Sequence, residues 1–328
     1  MSDASPRAIP IIDLSEPDAG LLTRRIVEAC TDTGFFGVVG HGVPQASIDG
    51  ALQAARAFFA LPVDEKLRVR RPRAELNRGY IAPGTETLAR LAGRETPPDY
   101  KEVFTVGSEH CPQDDPYYVC EAARPHWGPN PWPGRPDAFR ERVLAYQADM
   151  QALTDRLMTL FCGALDLPPR YFAERSTRAP SQLRLIHYPP YRGPWEPGQL
   201  RAGEHTDLSL LTIVHSDNNA IGGLEVRNRD GEWVAAPDFG GFMVNLGDTM
   251  MRWCNDRWKS TPHRVANPPH AGAQGSQRMS LAYFHIPDYD TLIECVPSCV
   301  GADRPARYAP ITMGDYRASR FARTANAR

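Results

Sequence analysis

Two residues of this sequence are best placed to bind one metal ion together. They are His205 and Asp207, a histidine and an aspartate separated by one residue. In an extended segment, residues at positions i and i+2 point to the same side, so both side chains can reach the ion. Two imidazoles and one carboxylate bind one face of a six-coordinate ferrous ion and leave the opposite face open to substrate and dioxygen. With a second histidine, the pair predicts oxygen chemistry.

Four histidines further along the chain are candidates for that third ligand. His215 ends the strand predicted after the pair, and eight residues at roughly 3.3 Å each would place it about 26 Å away. His270 lies in a loop rich in proline and glycine, and His285 lies inside a strand candidate where a packed role is favoured. His263 begins a short strand-like segment that could lie opposite the first pair. It is the strongest candidate.

Another motif, Arg-Met-Ser from Arg278 to Ser280, begins fifteen residues after His263. A guanidinium group is a planar fork of donors that matches a carboxylate, and Ser280 adds a hydroxyl donor on the same face of the strand. The motif predicts a clamp for a carboxylate.

The second half of the chain predicts the scaffold for these side chains. Its short strand candidates are separated by turn signals, which is typical of a sandwich or jelly roll and not of a parallel sheet. The candidates are residues 183–188, 208–214, 223–226, 233–235, 242–245, 264–266 and 279–286.

The first half predicts helices and long loops outside that scaffold. Apolar spacing predicts a helix over 18–33 that ends at Gly34, a second helix with an apolar face from Ile48 to Phe59, and a long helix over 137–165. The remaining candidates are strands at 9–14, 35–39, 79–81 and 102–106, and a terminal helix at 315–323. Irregular stretches between 68 and 136 are typical of lids. We expect an α-rich region with lid-like loops over 1–135 and a catalytic core over 136–328, together forming one unit.

Composition excludes several classes of partner. The 37 basic and 39 acidic residues are interspersed and give a net charge of -2, so there is no basic stripe to neutralise nucleic-acid phosphates. No signal peptide and no apolar run of about 18 residues is found, so we expect no membrane association and a cytoplasmic location. Seven scattered cysteines without a close pair predict reduced thiols, with neither a zinc site nor a disulfide framework.

Five stretches carry a resemblance to a known family: Gly198 to Asp207, Gly222 to Val226, Asn245 to Asp248, Lys259 to Val265, and Arg278 to Ser280. They resemble the isopenicillin N synthase-like family of non-haem iron, 2-oxoglutarate-dependent oxygenases, and the resemblance runs from about residue 8 to residue 320. It implies a mainly β fold with a helical extension. That fold is a double-stranded β-helix, or jelly roll, with the site at its mouth and N-terminal helices packed outside.

The resemblance also implies roles for individual residues. Iron(II) would be bound by His205, Asp207 and His263, and the distal carboxylate of 2-oxoglutarate by Arg278 and Ser280, with a supporting hydrogen bond from Tyr188. In some plant members an asparagine stands two places before that tyrosine, where this sequence has Ile186. The implied reaction uses O2 to hydroxylate or otherwise oxidise an unactivated C–H bond of a small metabolite, and it yields succinate and CO2.

The open face of the metal would be lined, if family geometry holds, by Arg78, Tyr80, Phe104, Arg184, Leu208, Phe284 and Arg317. The arginines favour a small anionic or amino-acid-like substrate. Fungal thymine-hydroxylating and bacterial ethylene-forming members, which residues 78–132 resemble more than plant members, have tyrosine at the place of Leu208. Stacking on a planar base is therefore not favoured.

Two alternatives remain open at this point. An oxidase of the isopenicillin N synthase type, which does not use 2-oxoglutarate, also carries the Arg-x-Ser step. A non-catalytic jelly-roll protein could use the same cavity to bind a ligand.

Overall fold

Two largely antiparallel sheets form the scaffold. The computed structural model describes residues 9–73, 75–190, 194–217, 223–268 and 276–325. The large sheet has the strand order β1-β2-β10-β7-β12-β5-β4-β3, in which β1 and β2 are parallel, the smaller one has the order β6-β11-β8-β9, and β13 pairs with β14. The strands are β1 (Ile11–Asp13), β2 (Phe35–Val39), β3 (Gly79–Ile81), β4 (Glu102–Gly107), β5 (Gln182–Tyr188), β6 (Ala202–His205), β7 (Leu211–Ser216), β8 (Leu224–Arg227), β9 (Trp233–Ala235), β10 (Phe242–Leu246), β11 (His263–Val265), β12 (Arg278–His285), β13 (Leu292–Ile293) and β14 (Ile311–Thr312). The predicted jelly roll with outer helices is confirmed.

Helices pack against the large sheet. They are α1 (Ala19–Asp32), α2 (Gln45–Phe59), α3 (Val63–Leu67), α4 (Pro116–Val119), α5 (Phe139–Ala164), α6 (Asp248–Trp253) and α7 (Met313–Ala325). The long helix α5 packs against α1, α2 and β12. Its buried residues recur at helical spacing, as the apolar periodicity predicts, and they include Val143, Tyr146, Met150 and Leu157.

The turn after α1 shows why the chain changes direction where it does. Gly34 follows the helix with φ +67°, and its N–H bonds to the carbonyl of Ala29. A Cβ at this position would lie 1.9 Å from the carbonyl oxygen of Lys259, so only glycine fits. The predicted stop signal therefore also allows the close approach of the segment that leads into β11.

Strand pairing brings the predicted site residues to one region. The first residue of β11, His263, is the direct cross-strand partner of His205 at the end of β6. Strand β12 lies between β5 and β7, and Arg278 is the cross-strand partner of Tyr188. The smaller sheet thus holds two of the predicted metal ligands, and the large sheet holds the predicted carboxylate clamp.

Two elements near the site were not predicted from the sequence, namely β6 and α6. The extended run assumed for His205 to Asp207 ends at His205, and the strand expected to begin at residue 208 begins at Leu211. The less favoured candidate His270 lies outside the described residues. Among those residues, no helix is both long and apolar enough to cross a bilayer. All seven cysteines are free thiols.

Candidate metal centre and active site

His205, Asp207 and His263 form a compact cluster of potential metal ligands. One ligand atom from each side chain lies within 4.8 Å of the others. The Asp207 Oδ1 atom is 3.7 Å from His205 Nε2 and 3.8 Å from His263 Nε2. All three side chains are largely withdrawn from water. His263 is the candidate that its position in the sequence favoured, and it is also the histidine that strand pairing places beside His205 and Asp207.

Backbone carbonyl groups orient both imidazoles. Nδ1 of His205 is 2.7 Å from the carbonyl oxygen of Gly203, and Nδ1 of His263 is 3.2 Å from that of Thr261. A carbonyl oxygen can only accept, so each Nδ1 carries the proton and each Nε2 offers its lone pair to the centre of the cluster. The ring of Phe35 packs edge-on against the His263 ring at 5.3 Å and limits its rotation. Both rings are therefore preset as ligands.

Two donors fix the Asp207 carboxylate. The Thr212 hydroxyl donates to Oδ2 at 2.6 Å and the Asn245 amide donates to the same atom at 2.8 Å. The N–H of Asp248 donates to the Asp207 backbone carbonyl at 2.7 Å. These bonds fix the orientation of a side chain that lies two residues beyond the end of β6. Oδ1 is left facing the two imidazoles.

Protonation states in the cluster suit a cation. Burial, together with the proximity of His263, lowers the pKa of His205 to about 3, so its imidazole is neutral near pH 7. Burial alone would raise the pKa of Asp207, but the two histidines and the bonds from Asn245 and Thr212 outweigh it and lower that pKa. Neutral imidazole nitrogens and an ionised carboxylate are the ligand set that iron(II) takes in oxygenases that leave coordination positions open. The residues present therefore fit this metal.

A buried cation lies in the same cavity as the cluster. Arg278 is 4 % exposed, and its Nη2 donates to the hydroxyl of Ser216 at 2.7 Å, which is in turn 2.9 Å from the Ser280 hydroxyl. The guanidinium carbon lies 5.4 Å from the centre of the Tyr188 ring. Burial lowers the pKa of Arg278, but it remains a cation at neutral pH. The group can pair with a carboxylate that enters the cavity.

Apolar side chains surround the space between this cation and the cluster. Ile186, Val214, Leu224, Val265 and Ala282 line the cavity, whose volume is about 170 Å³. Ile186 is the cross-strand partner of Ser280, so the position where some plant relatives have asparagine is apolar here. 2-Oxoglutarate has a carboxylate at each end and methylene groups between them. The donors of the cavity fit the carboxylates, and its apolar walls fit the methylene groups.

Four of the seven residues predicted to face the substrate line this cavity: Arg184, Leu208, Phe284 and Arg317. Arg184 does not offer a free charge, because its Nη2 lies 2.7 Å from both carboxylate oxygens of Glu86. Burial alone would raise the pKa of Glu86, but Arg184 and Lys101 outweigh it and lower that pKa to about 2. This pair, 98 residues apart in the chain, was not foreseen from the sequence.

The other three predicted residues, Arg78, Tyr80 and Phe104, do not line the cavity. Arg78 is fully buried, and its Nη2 donates to the carbonyl of His126 at 3.1 Å. The Tyr80 hydroxyl donates to the Glu102 carboxylate at 2.6 Å. Phe104 packs in the main core against two other phenylalanine rings, 4.8 and 5.2 Å away. Tyr80 in β3, Phe104 in β4 and Arg78 directly before β3 are all buried, so the lid-like placement expected for them is corrected.

Further residues of the site were not assigned a role from the sequence. Thr212 and Asn245 hold Asp207, Ser216 links Arg278 to Ser280, and Lys101 lies in the cavity wall. Asn245 did carry one signal, since it begins the Asn-Leu-Gly-Asp stretch that resembles the family.

Comparisons with known proteins point the same way. Residues 9–135 match the family described as "non-haem dioxygenase in morphine synthesis N-terminal", and residues 179–287 match the family described as "2OG-Fe(II) oxygenase superfamily". The chain is 33% identical over 324 residues to a 2-oxoglutarate-Fe(II) type oxidoreductase of Emericella nidulans, covering 95% of this chain and 88% of the relative. It is 32% identical to the validamycin A dioxygenase of Streptomyces hygroscopicus subsp. limoneus, covering 94% and 84%. The crystal structure of a full-length Neurospora crassa protein in complex with alpha-KG superposes with a TM-score of 0.83 at 32% identity, covering 96% of each chain.

Proposed function

The chain belongs to the 2OG-Fe(II) oxygenase superfamily, and from that premise we propose which roles its residues have in the oxidation of a C–H bond of a small molecule. The enzyme is a 2-oxoglutarate-dependent dioxygenase. The observation that carries the proposal is the cavity that joins a His-Asp-His cluster to a buried arginine.

We assign iron(II) to Nε2 of His205, Oδ1 of Asp207 and Nε2 of His263. The assignment is supported by the convergence of these atoms and by the carbonyl and amide groups that orient them. We assign the distal carboxylate of 2-oxoglutarate to Arg278 and Ser280, with Tyr188 beside them. Bound iron(II) would activate O2, the oxidant, and 2-oxoglutarate would supply two of the four electrons that reduce it as it is converted to succinate and CO2, while the C–H bond supplies the other two.

The residues of the chain position these groups and exclude water. Thr212 and Asn245 keep the Asp207 carboxylate in one orientation while charge changes at the centre, which avoids reorganisation during the reaction. Leu208 and Phe284 contribute apolar surface to the cavity where substrate must lie. A dry wall protects a reactive centre from side reactions with solvent.

One experiment tests the residue assignment. Under anaerobic conditions the purified protein is titrated with iron(II) and then with 2-oxoglutarate, and the same titrations are run on His205→Ala, Asp207→Ala and His110→Ala. His110 is an exposed histidine outside the cluster and serves as the matched control. We expect the first two variants to lose iron and the control to retain it. Full iron content in both cluster variants would refute the assignment.

Succinate formation separates this reaction from that of an oxidase that takes all its electrons from substrate. Substrate-stimulated succinate release in a metabolite screen is expected here, with one succinate for each substrate molecule oxidised. Oxygen uptake that accompanies substrate oxidation without any succinate would favour the oxidase.

We propose further that the substrate is a small anionic molecule and that the reaction takes place in the cytoplasm. The first proposal is supported by a buried arginine in the cavity wall, Arg317, that has no carboxylate partner within 4.0 Å among the described residues. The second is supported by seven free thiols, which are typical of a reducing compartment.

A further inference from the structure

Besides Arg278, which is assigned to 2-oxoglutarate, the cavity wall carries two cations that lie beside carboxylates and one, Arg317, that does not among the described residues. Arg184 pairs with Glu86, and Lys101 lies 2.8 Å from an Asp99 carboxylate oxygen and 3.5 Å from one of Glu86. These two cations and two carboxylates form a network without net charge. An anion that entered the cavity would gain little from either cation, because each already has a carboxylate partner.

Arg317 of helix α7 differs from both. It is 8 % exposed, it lines the cavity, and its Nη1 lies 2.9 Å from Nδ1 of His126. The His126 ring is stacked on Tyr289 at 5.2 Å, so its position is fixed. Burial and the charges of Arg317 and Arg78 lower the pKa of His126 to about 3. The imidazole is therefore a neutral hydrogen-bond acceptor that orients Arg317 and leaves its charge in place.

A second guanidinium group increases the positive potential behind Arg317. Arg78 is fully buried, and among the described residues its hydrogen-bond acceptors are the backbone carbonyls of Asn77 and His126. No carboxylate within 4.0 Å of Arg78 or Arg317 is found in the described part of the chain, and the undescribed internal segments contain no aspartate or glutamate. Burial lowers the pKa of Arg78 to about 9 and of Arg317 to about 10, so both are charged at neutral pH.

Burying a charge without a counter-ion is costly, and a fold rarely retains it without a use. Arg78 does not line the cavity, so of these two arginines Arg317 is the one that can touch a ligand there. One accessible guanidinium fork matches one carboxylate. The apolar side chains of Leu88, Leu91 and Phe284 line the same cavity and suit an apolar body attached to that carboxylate.

We infer that Arg317, oriented by His126, binds the carboxylate of the substrate, and that the substrate is a small monocarboxylate with an apolar body. The inference rests on the proposed function in that it takes the cavity of the His-Asp-His cluster as the substrate site. It assigns no anion to Arg184, although that arginine also lines the cavity.

The first test needs no ligand. We compare the melting temperatures of the metal-free protein with Arg317→Gln and with Arg184→Gln. Removing a charge that has no counter-ion should not lower the melting temperature, whereas removing the partner of Glu86 should lower it. A decrease for Arg317→Gln as large as for Arg184→Gln would mean that Arg317 is a structural residue and would overturn the inference.

The second test measures selectivity. The protein is saturated anaerobically with iron(II) and 2-oxoglutarate, so that Arg278 is occupied, and is then titrated calorimetrically with butanoate, hexanoate and phenylacetate and with their primary amides. We expect at least one acid to bind about tenfold or more tightly than its amide. Arg317→Gln should abolish that preference and Arg317→Lys should retain part of it. Arg170→Gln, which removes an equal charge from an exposed position, should leave it unchanged.

Absence of any preference for acids, or its persistence in Arg317→Gln, would overturn the inference. The result can be separated from failure of the proposed function by repeating the titration on metal-free protein in an Arg278→Ala background. A preference for acids that depends on Arg317 should persist there, even if the protein proved unable to bind iron.

Discussion

The hydroxyl of Thr212 offers a sharp test of how the iron site is held. Thr212→Val replaces the hydroxyl with a methyl group of similar size, at a side chain that is 2 % exposed. It removes the 2.6 Å hydrogen bond to Asp207 Oδ2 and keeps the 2.8 Å bond from Asn245. A hydrogen bond to a charged group contributes about 1.5 to 3 kcal/mol, and loss of a group that orients a metal ligand lowers metal affinity roughly 10- to 100-fold.

We therefore expect Thr212→Val to bind iron(II) weakly rather than not at all. The affinity is measured anaerobically by competition with a chromophoric chelator, with circular dichroism as a check on folding. The matched control is Thr105→Val in β4, because Thr105 is fully buried and its hydroxyl has no partner among the described residues. The control should keep the original affinity. Equal iron affinity in Thr212→Val and the unaltered protein would refute the view that these bonds hold the ligand.

Three further predictions concern charge and packing. Arg278→Ala should weaken 2-oxoglutarate binding by about 2 to 5 kcal/mol, the cost of losing one partner of a buried charge pair; anaerobic titration measures it, and unchanged affinity would contradict the assignment. The pKa of Glu86 is lowered to about 2, so its ion pair stabilises the fold above the unfolded value near 4.5 and is lost as pH falls towards 2; chemical denaturation should show this decline in the original protein, and Glu86→Gln should lack it. Leu281→Ala, at a fully buried position of β12, should lower the free energy of unfolding by about 2 to 5 kcal/mol in urea denaturation; a loss well under 1 kcal/mol would show that this part of the core is loosely packed.

Local patterns were enough to predict most of the scaffold. Apolar spacing located α1 and α5 within about two residues of their ends, because a helix of that length repeats its signal several times. The pairing of β11 with β6 was anticipated only as a possibility, yet it places His263 opposite His205. The four-residue β6 and six-residue α6 are too short for a clear period, which explains why they were missed.

Long-range contacts explain the remaining differences. Arg78, Tyr80 and Phe104 were placed at the cavity because their segment looked like a lid, but the pairing of β3 with β4 and of β4 with β5 draws it into the large sheet. Whether an arginine in the cavity can bind an anion depends on its partner in the fold. The partner of Arg184 is Glu86, which lies 98 residues away in the sequence. No pattern along the chain indicates that Arg184 is neutralised and Arg317 is not.

The direct pairing of His205 with His263 has a consequence for how such an enzyme can change. Because the two ligands are opposed only in this register, inserting or deleting one residue in β6 or β11 is expected to move them out of their pairing and abolish activity. Helix α7, which carries Arg317, is not part of that ladder. New substrate preferences can therefore evolve, or be engineered, through α7 while the iron ligands are inherited without change.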